Sequence, residues 1–150
     1  MAARKQRKRK ATRRPAKRGA RGRSNHRIER FAAEATKPLP FSEAVRADGM
    51  LYLAGQLGTD ENLNLAPGGI QAETKRALEN IRAVLERHGS SLDRVVKCTV
   101  MMADMSEWRA MNEIYVTFFA KNSLPARSAF GSTGLAFGAR VEIECIAALK

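Results

Sequence analysis

RVVKCTVMMAD, residues 94–104, decides how the chain is read. It is β-branched and apolar on both faces, so it is expected to lie inside a sheet, buried under a helix. The segments on either side supply that cover. Upstream, GGIQAETKRALENIRAVLERHG (68–89) brings back Thr74, Ala77, Leu78, Ile81, Val84, Leu85 and His88 at i, i+3, i+4, i+7. That recurrence is one helical stripe, closed by Gly89. Downstream, MSEWRAMNEIYVTFFAKN (105–122) sets Trp108, Met111, Tyr115, Phe118 and Phe119 along one side of a second helix, which residues 122–125 end at a proline. The aromatic stripe reads as core.

Further out, FSEAVRADGMLYLAGQLG (41–58) holds two strand-like runs around Asp48-Gly49, a dipeptide that permits positive φ and therefore predicts a hairpin. Residues 90–93 form a loop, and strands at 127–132 and 139–147 complete the order ββαβαββ. Two helices on one face of a mixed sheet make an α+β fold. The other face is left bare, and a strand apolar on both sides then calls for a partner subunit.

Charge divides the 150 residues unevenly. The net charge is +12, but residues 1–30 hold 14 Lys or Arg against Glu29 alone, and residues 31–150 are nearly neutral. The first 30 residues have too little apolar surface to offset their ordering entropy and self-repulsion, so they are expected to be a disordered arm before a domain at 31–150. Polyanions are the natural partner of Arg4, Lys5, Arg7, Lys8, Arg9, Lys10, Arg13 and Arg14, and nonspecific nucleic acid is the commonest polyanion. The arm lacks the apolar face of a transit peptide and the apolar core of a secretory signal.

No apolar run approaches the roughly 18 residues that span a bilayer, so a soluble protein without membrane association is expected. Cys98 and Cys145 fall in strand-like segments without metal-ligand spacing and read as buried thiols. His26 belongs to the arm, and His88 ends the first helix. Nothing in the spacing suggests a metal.

The last strand pair carries charge. In RVEIECIAAL (140–149), Glu142 and Glu144 share one face, opposite Val141, Ile143 and Cys145. A hairpin centred near Leu135 and Ala136 would bring Arg127 close to one of them. The outcome would be either a cross-strand salt bridge or, if a subunit closes the face, a pocket for a small carboxylate.

PLPFSEAV, LYLAGQLG, ETKRALENI, VVKCTV, MNEIY, PARSAFG and VEIECIA occur in that order along residues 38–150. With this series the chain resembles the RidA family (YjgF, YER057c, UK114) of enamine and imine deaminases. The resemblance implies a chorismate-mutase-like fold, a cytoplasmic homotrimer and sites in the clefts between subunits. It implies cofactor-independent hydrolysis of small 2-enamino or 2-imino acids, of the 2-aminoacrylate type, to 2-keto acids and ammonia. Arg127 of PARS then matches the clamp on the substrate carboxylate, and Glu142 the group that positions water. Gly55 and Gln56 match a pocket-bordering loop, while Asn112 and Glu144 take structural parts. Phe41, Ala54 and Ala129 stand where the family usually has Tyr, Ser or Thr, and Cys, so three polar atoms are missing from the implied pocket. Two other functions fit the same residues: RNA association through the arm, since the family has also been linked to translation inhibition and RNA cleavage, and carboxylate binding without turnover.

Overall fold

The computed structural model describes residues 27–33 and 39–150. Most of the basic arm lies outside the described residues. Seven strands form one sheet: β1 (Glu29–Ala32), β2 (Ser42–Ala47), β3 (Met50–Leu53), β4 (Gln56–Leu57), β5 (Val95–Met102), β6 (Ala126–Gly131) and β7 (Val141–Ala148). Two helices, α1 (Gly69–Arg87) and α2 (Trp108–Tyr115), pack together on one side, and among the described residues no element covers the opposite sheet face. The architecture is the expected α+β mixed sheet.

Strand order is β1-β2-β3-β7-β5-β6, with β4 also paired to β7. All neighbours are antiparallel except β5 and β6, which α2 connects as a parallel pair. The Asp48-Gly49 turn joins β2 to β3 with φ of 49° and 78°, as the dipeptide predicts. Among the described residues the first element is β1, held to β2 by its hydrogen bonds and by the Glu29–Arg46 pair at 3.0 Å.

The stripe on α1 is buried as read: Thr74, Ala77, Leu78, Ile81 and Leu85 are fully enclosed, and Gly89 takes φ 83° beyond the helix end. These side chains meet Val141, Ile143, Cys145 and Ala147 of β7 and Cys98, Val100 and Met102 of β5 in one core. Burying such a run, at roughly 1.5–3 kcal/mol for each large side chain, is what holds the helix layer to the sheet. His88 caps the end of α1. Its ring stacks on Phe31 with centroids 4.2 Å apart and bonds Glu43 at 3.0 Å, beside the bidentate Arg87–Glu43 pair.

The second helix is shorter than its aromatic spacing predicts. Tight 3₁₀ turns at Met105–Glu107 and Val116–Phe118 bracket α2. Met111, Tyr115 and Phe119 are core, but Trp108 is 38% exposed and departs from the core reading.

Candidate active site

The expected hairpin between the last two strands does not form. β5 lies between β6 and β7: Cys98 faces Arg127 on one side and Cys145 on the other. The connection at 132–140 passes over the end of β5, so Arg127 lies on an outer edge strand, two strands from the glutamates. Facing residues point the same way, which puts Arg127 with Cys98 and Cys145 on the helix side. Glu142 faces Met101 and Glu144 faces Thr99, on the open side. Within one chain the arginine and the glutamates are on opposite faces of the sheet.

Each half of this divided site is built with care. On the helix side, the half-buried Arg127 donates from Nη1 to Asn112 Oδ1 at 2.8 Å. Its guanidinium lies over Tyr115, 4.5 Å from the ring centroid, and near Trp108 at 5.7 Å. Asn112 thus holds the arginine directly. No carboxylate among the described residues lies within ion-pair range of Arg127. Ala129, two residues on, faces Val100 on the same side and packs against the core.

Beneath the arginine the core is polarisable. Cys98 and Cys145 are buried, free and 3.0 Å apart at sulfur. The Tyr115 hydroxyl meets Cys98 and finds no well-aligned partner; burial, then the neighbouring thiol, raises its pKa well above the usual phenol value. The ring under the guanidinium therefore stays neutral.

On the open side, Glu142 rests over Gly55. From Tyr52 to Gln56 the chain spends four steps where β7 spends three, from Ile146 to Ile143, so a bulge lies between β3 and β4. Gly55 is in that bulge, and a Cβ there would come within 1.9 Å of Glu142 Oε1. Burial, with help from Glu144, raises the Glu142 pKa above the ordinary carboxylate value. Neither Glu142 nor Glu144 has a hydrogen-bond or ion-pair partner among the described residues. The Gln56 side chain turns back to the Ala54 carbonyl at 3.3 Å, and the Ala54 N–H bonds the Glu43 carbonyl at 2.9 Å. Phe41, just before β2, is 54% exposed.

The structure thus joins Arg127 to Asn112, and Glu142 to Gly55 and the β4 ladder, but keeps the two groups apart. Three concavities of about 340, 420 and 290 Å³ open elsewhere, and none is lined by Arg127 or Glu142. Sequence reasoning missed the parts played by Trp108 and Tyr115 around the arginine. The signal was the spacing 108, 112, 115, which puts all three side chains on one helical stripe.

Chemically, the first group can hold a carboxylate in a charge-assisted fork, and the second, when ionised, can accept a proton from water. Groups able to cluster around a metal ion are absent among the described residues.

Residues 32–149 match a family model described as Endoribonuclease L-PSP. The chain is 46% identical over 109 residues to a Mus musculus protein named 2-iminobutanoate/2-iminopropanoate deaminase, a match covering 72% of this chain and 80% of that protein. To the RutC family protein UK114 of Drosophila melanogaster it is 44% identical over 117 residues, covering 77% and 84%. The solved structure of RidA from the Antarctic bacterium Psychrobacter sp. PAMC 21119 is similar at TM-score 0.69 and 36% identity, over 80% of this chain and 94% of that one.

Proposed function

The chain belongs to the Endoribonuclease L-PSP family, known also as RidA, YjgF or UK114, and from that premise we propose that it hydrolyses small 2-imino acids to 2-keto acids and ammonia. The observation that carries the reading is the braced Arg127 guanidinium, which no carboxylate of its own chain neutralises among the described residues. Relatives bearing the 2-iminobutanoate/2-iminopropanoate deaminase name, at 40–46% identity, support the substrate class.

Arg127 clamps the substrate carboxylate. Glu142 takes a proton from water as the oxygen attacks the imine carbon, and returns it to the imine nitrogen. In the carbinolamine that results, Glu142 takes the hydroxyl proton and gives it to the amine; the C=O bond forms, the C–N bond breaks, and ammonia leaves the keto acid. Substrate and water supply every atom, and Glu142 ends as it began.

Opposite faces of one sheet cannot meet around one small molecule, so the working site forms between subunits. The bare face, with Tyr52 and Phe130 exposed on the same side of the sheet as Glu142, is apolar enough to be covered by a neighbouring copy. A cyclic trimer, with Arg127 of one subunit against Glu142 of the next, satisfies both halves.

Mixing tests this directly. Arg127→Lys loses the planar fork and Glu142→Gln loses the base, so each protein alone falls at least about 100-fold in kcat/KM for 2-iminobutanoate generated in situ. Dissociating and reassembling the two variants together returns about a quarter of the wild-type sites, because random cyclic assembly pairs an intact arginine with an intact glutamate that often. Absence of recovery in properly reassembled protein would exclude a site shared between subunits.

A second reading has its own observation. Residues 1–26 contain twelve Lys or Arg and no acid, which favours binding of nucleic acid through the arm alongside the deaminase.

A further inference from the structure

Trp108 is poorly placed for a core residue: 38% of its surface is exposed, although it is the chain's sole tryptophan and its stripe partners Met111 and Tyr115 are buried. Its ring instead stands 5.7 Å from the Arg127 guanidinium. Tyr115, two turns on along the same stripe, presents its face to the same group at 4.5 Å. That ring cannot swing aside, being 3% exposed and held against Phe119 with centroids 5.0 Å apart. Between them Asn112 fixes one guanidinium nitrogen at 2.8 Å. Residues 108, 112 and 115 recur at i, i+4 and i+7, so a single helix face grips the arginine from three directions.

We infer that Trp108 and Tyr115 are positioning residues for carboxylate capture, holding the Arg127 fork in place before the ligand arrives. The inference rests on the reading of Arg127 as the carboxylate clamp. An arginine on an exposed edge strand samples many rotamers, and binding would have to freeze them. Two aromatic faces and one amide oxygen restrict those rotamers in advance. Asn112 occupies one donor, which leaves four N–H groups for a planar, anionic acceptor. The two rings hold the guanidinium by its charge, with Cζ 5.7 and 4.5 Å from their centroids, and the Tyr115 hydroxyl takes none of its N–H groups.

The probe is 2-oxobutanoate, the keto acid that corresponds to 2-iminobutanoate. Calorimetry on full-length protein should give a Kd about 3- to 30-fold weaker for Trp108→Leu, the span expected from losing one cation–π contact. KM for the imine should rise by the same factor while kcat holds, since the loss falls equally on ground and transition states. Trp108→Phe, which keeps a ring, should restore most of the affinity. Because Trp108 is partly exposed, its variants should melt close to wild type; a purely structural role would lower the melting temperature and leave affinity alone. In the unmutated protein 2-oxobutanoate should change the intrinsic fluorescence, and Arg127→Lys should abolish that change. Tyr115→Phe, which retains the ring, should bind within about twofold of wild type. Unaltered affinity in Trp108→Leu, with Arg127→Lys binding weakly, overturns this inference and spares the clamp. Tight binding by Arg127→Lys overturns the clamp, and the inference falls with it.

Discussion

The two glycines that flank β4 are three residues apart and serve opposite faces of the sheet. Gly58 lies under α1, where an added Cβ would come within 2.5 Å of the Glu73 backbone. Gly55 lies on the open side, where the added atom would meet the end of the Glu142 side chain at 1.9 Å. One gap exists so that a helix can approach; the other exists so that a carboxylate can rest. Beneath α1 the sheet is committed to packing, while the open face keeps two carboxylates that have no partner among the described residues.

The same substitution at both positions should separate fold from function. Gly58→Ala presses on backbone that cannot yield, so it should cost about 1–3 kcal/mol and lower the melting temperature by roughly 5–10 °C, with residual activity in whatever remains folded. Gly55→Ala displaces only a flexible carboxylate; its melting temperature should stay near wild type while kcat falls about 10- to 100-fold through a misplaced base. Thermal melts and imine turnover on both proteins check the pair. Equal loss of stability at the two sites would dissolve the distinction between the faces.

How far the sequence reveals this division depends on what is local. The stripe on α1, the Asp48-Gly49 turn and the buried alternation of Val141, Ile143 and Cys145 are properties of short segments, and all can be read from spacing. Strand adjacency is not local. Arg127 and Glu142 are near in sequence, which suggests a hairpin, yet the parallel β5-α2-β6 unit carries the arginine to the outer edge. The composition of β6, with Arg127, Ser128 and Gly131, is that of a half-exposed edge strand and held a clue. In the site, Arg127 and the two glutamates stand out by residue type in the last strands, their roles and Gly55 follow from resemblance, and the bulge that aims Gly55 at Glu142 depends on a register no single segment encodes.

A smaller effect should appear in pH dependence. Burial chiefly, and Glu144 next, hold the Glu142 pKa above its ordinary value, and a base must be ionised to act. The acid limb of the kcat profile should therefore lie above the usual glutamate range, and Glu144→Gln should move it toward lower pH. Stability carries the opposite sign. A carboxyl whose folded pKa is raised contributes stability below its unfolded pKa and loses it as pH rises through the folded value. In the separate chain Glu142→Gln should thus melt higher than wild type at neutral pH and equally at acid pH, whereas in the proposed trimer the neighbouring subunit's arginine should reduce that gain. A wild type that is the more stable at neutral pH would mean that Glu142 has a stabilising cation which the separate chain lacks.

The least effect on catalysis should come from the largest charge. Residues 1–26 carry all of the net positive charge, and the rest of the chain sums to zero. They lead into β1, the edge of the sheet opposite the β6 edge that bears Arg127. Deletion should stop at residue 26, because Glu29 anchors β1 through Arg46. A protein beginning at residue 27 should hydrolyse the imine at the wild-type rate, since no group on either half of the site has been touched. Nucleic-acid binding should behave in reverse. The full chain should bind single-stranded RNA with little sequence preference, and log Kobs should fall with log salt at a slope of about −0.7 per phosphate contacted. Three arms on a trimer would raise the effective concentration without any new contact. The shortened protein, with no net charge, should lose that affinity and its salt slope together. RNA binding that persisted with the same slope would have to come from the folded surface, and the open face, rather than the arm, would then be the place to seek it.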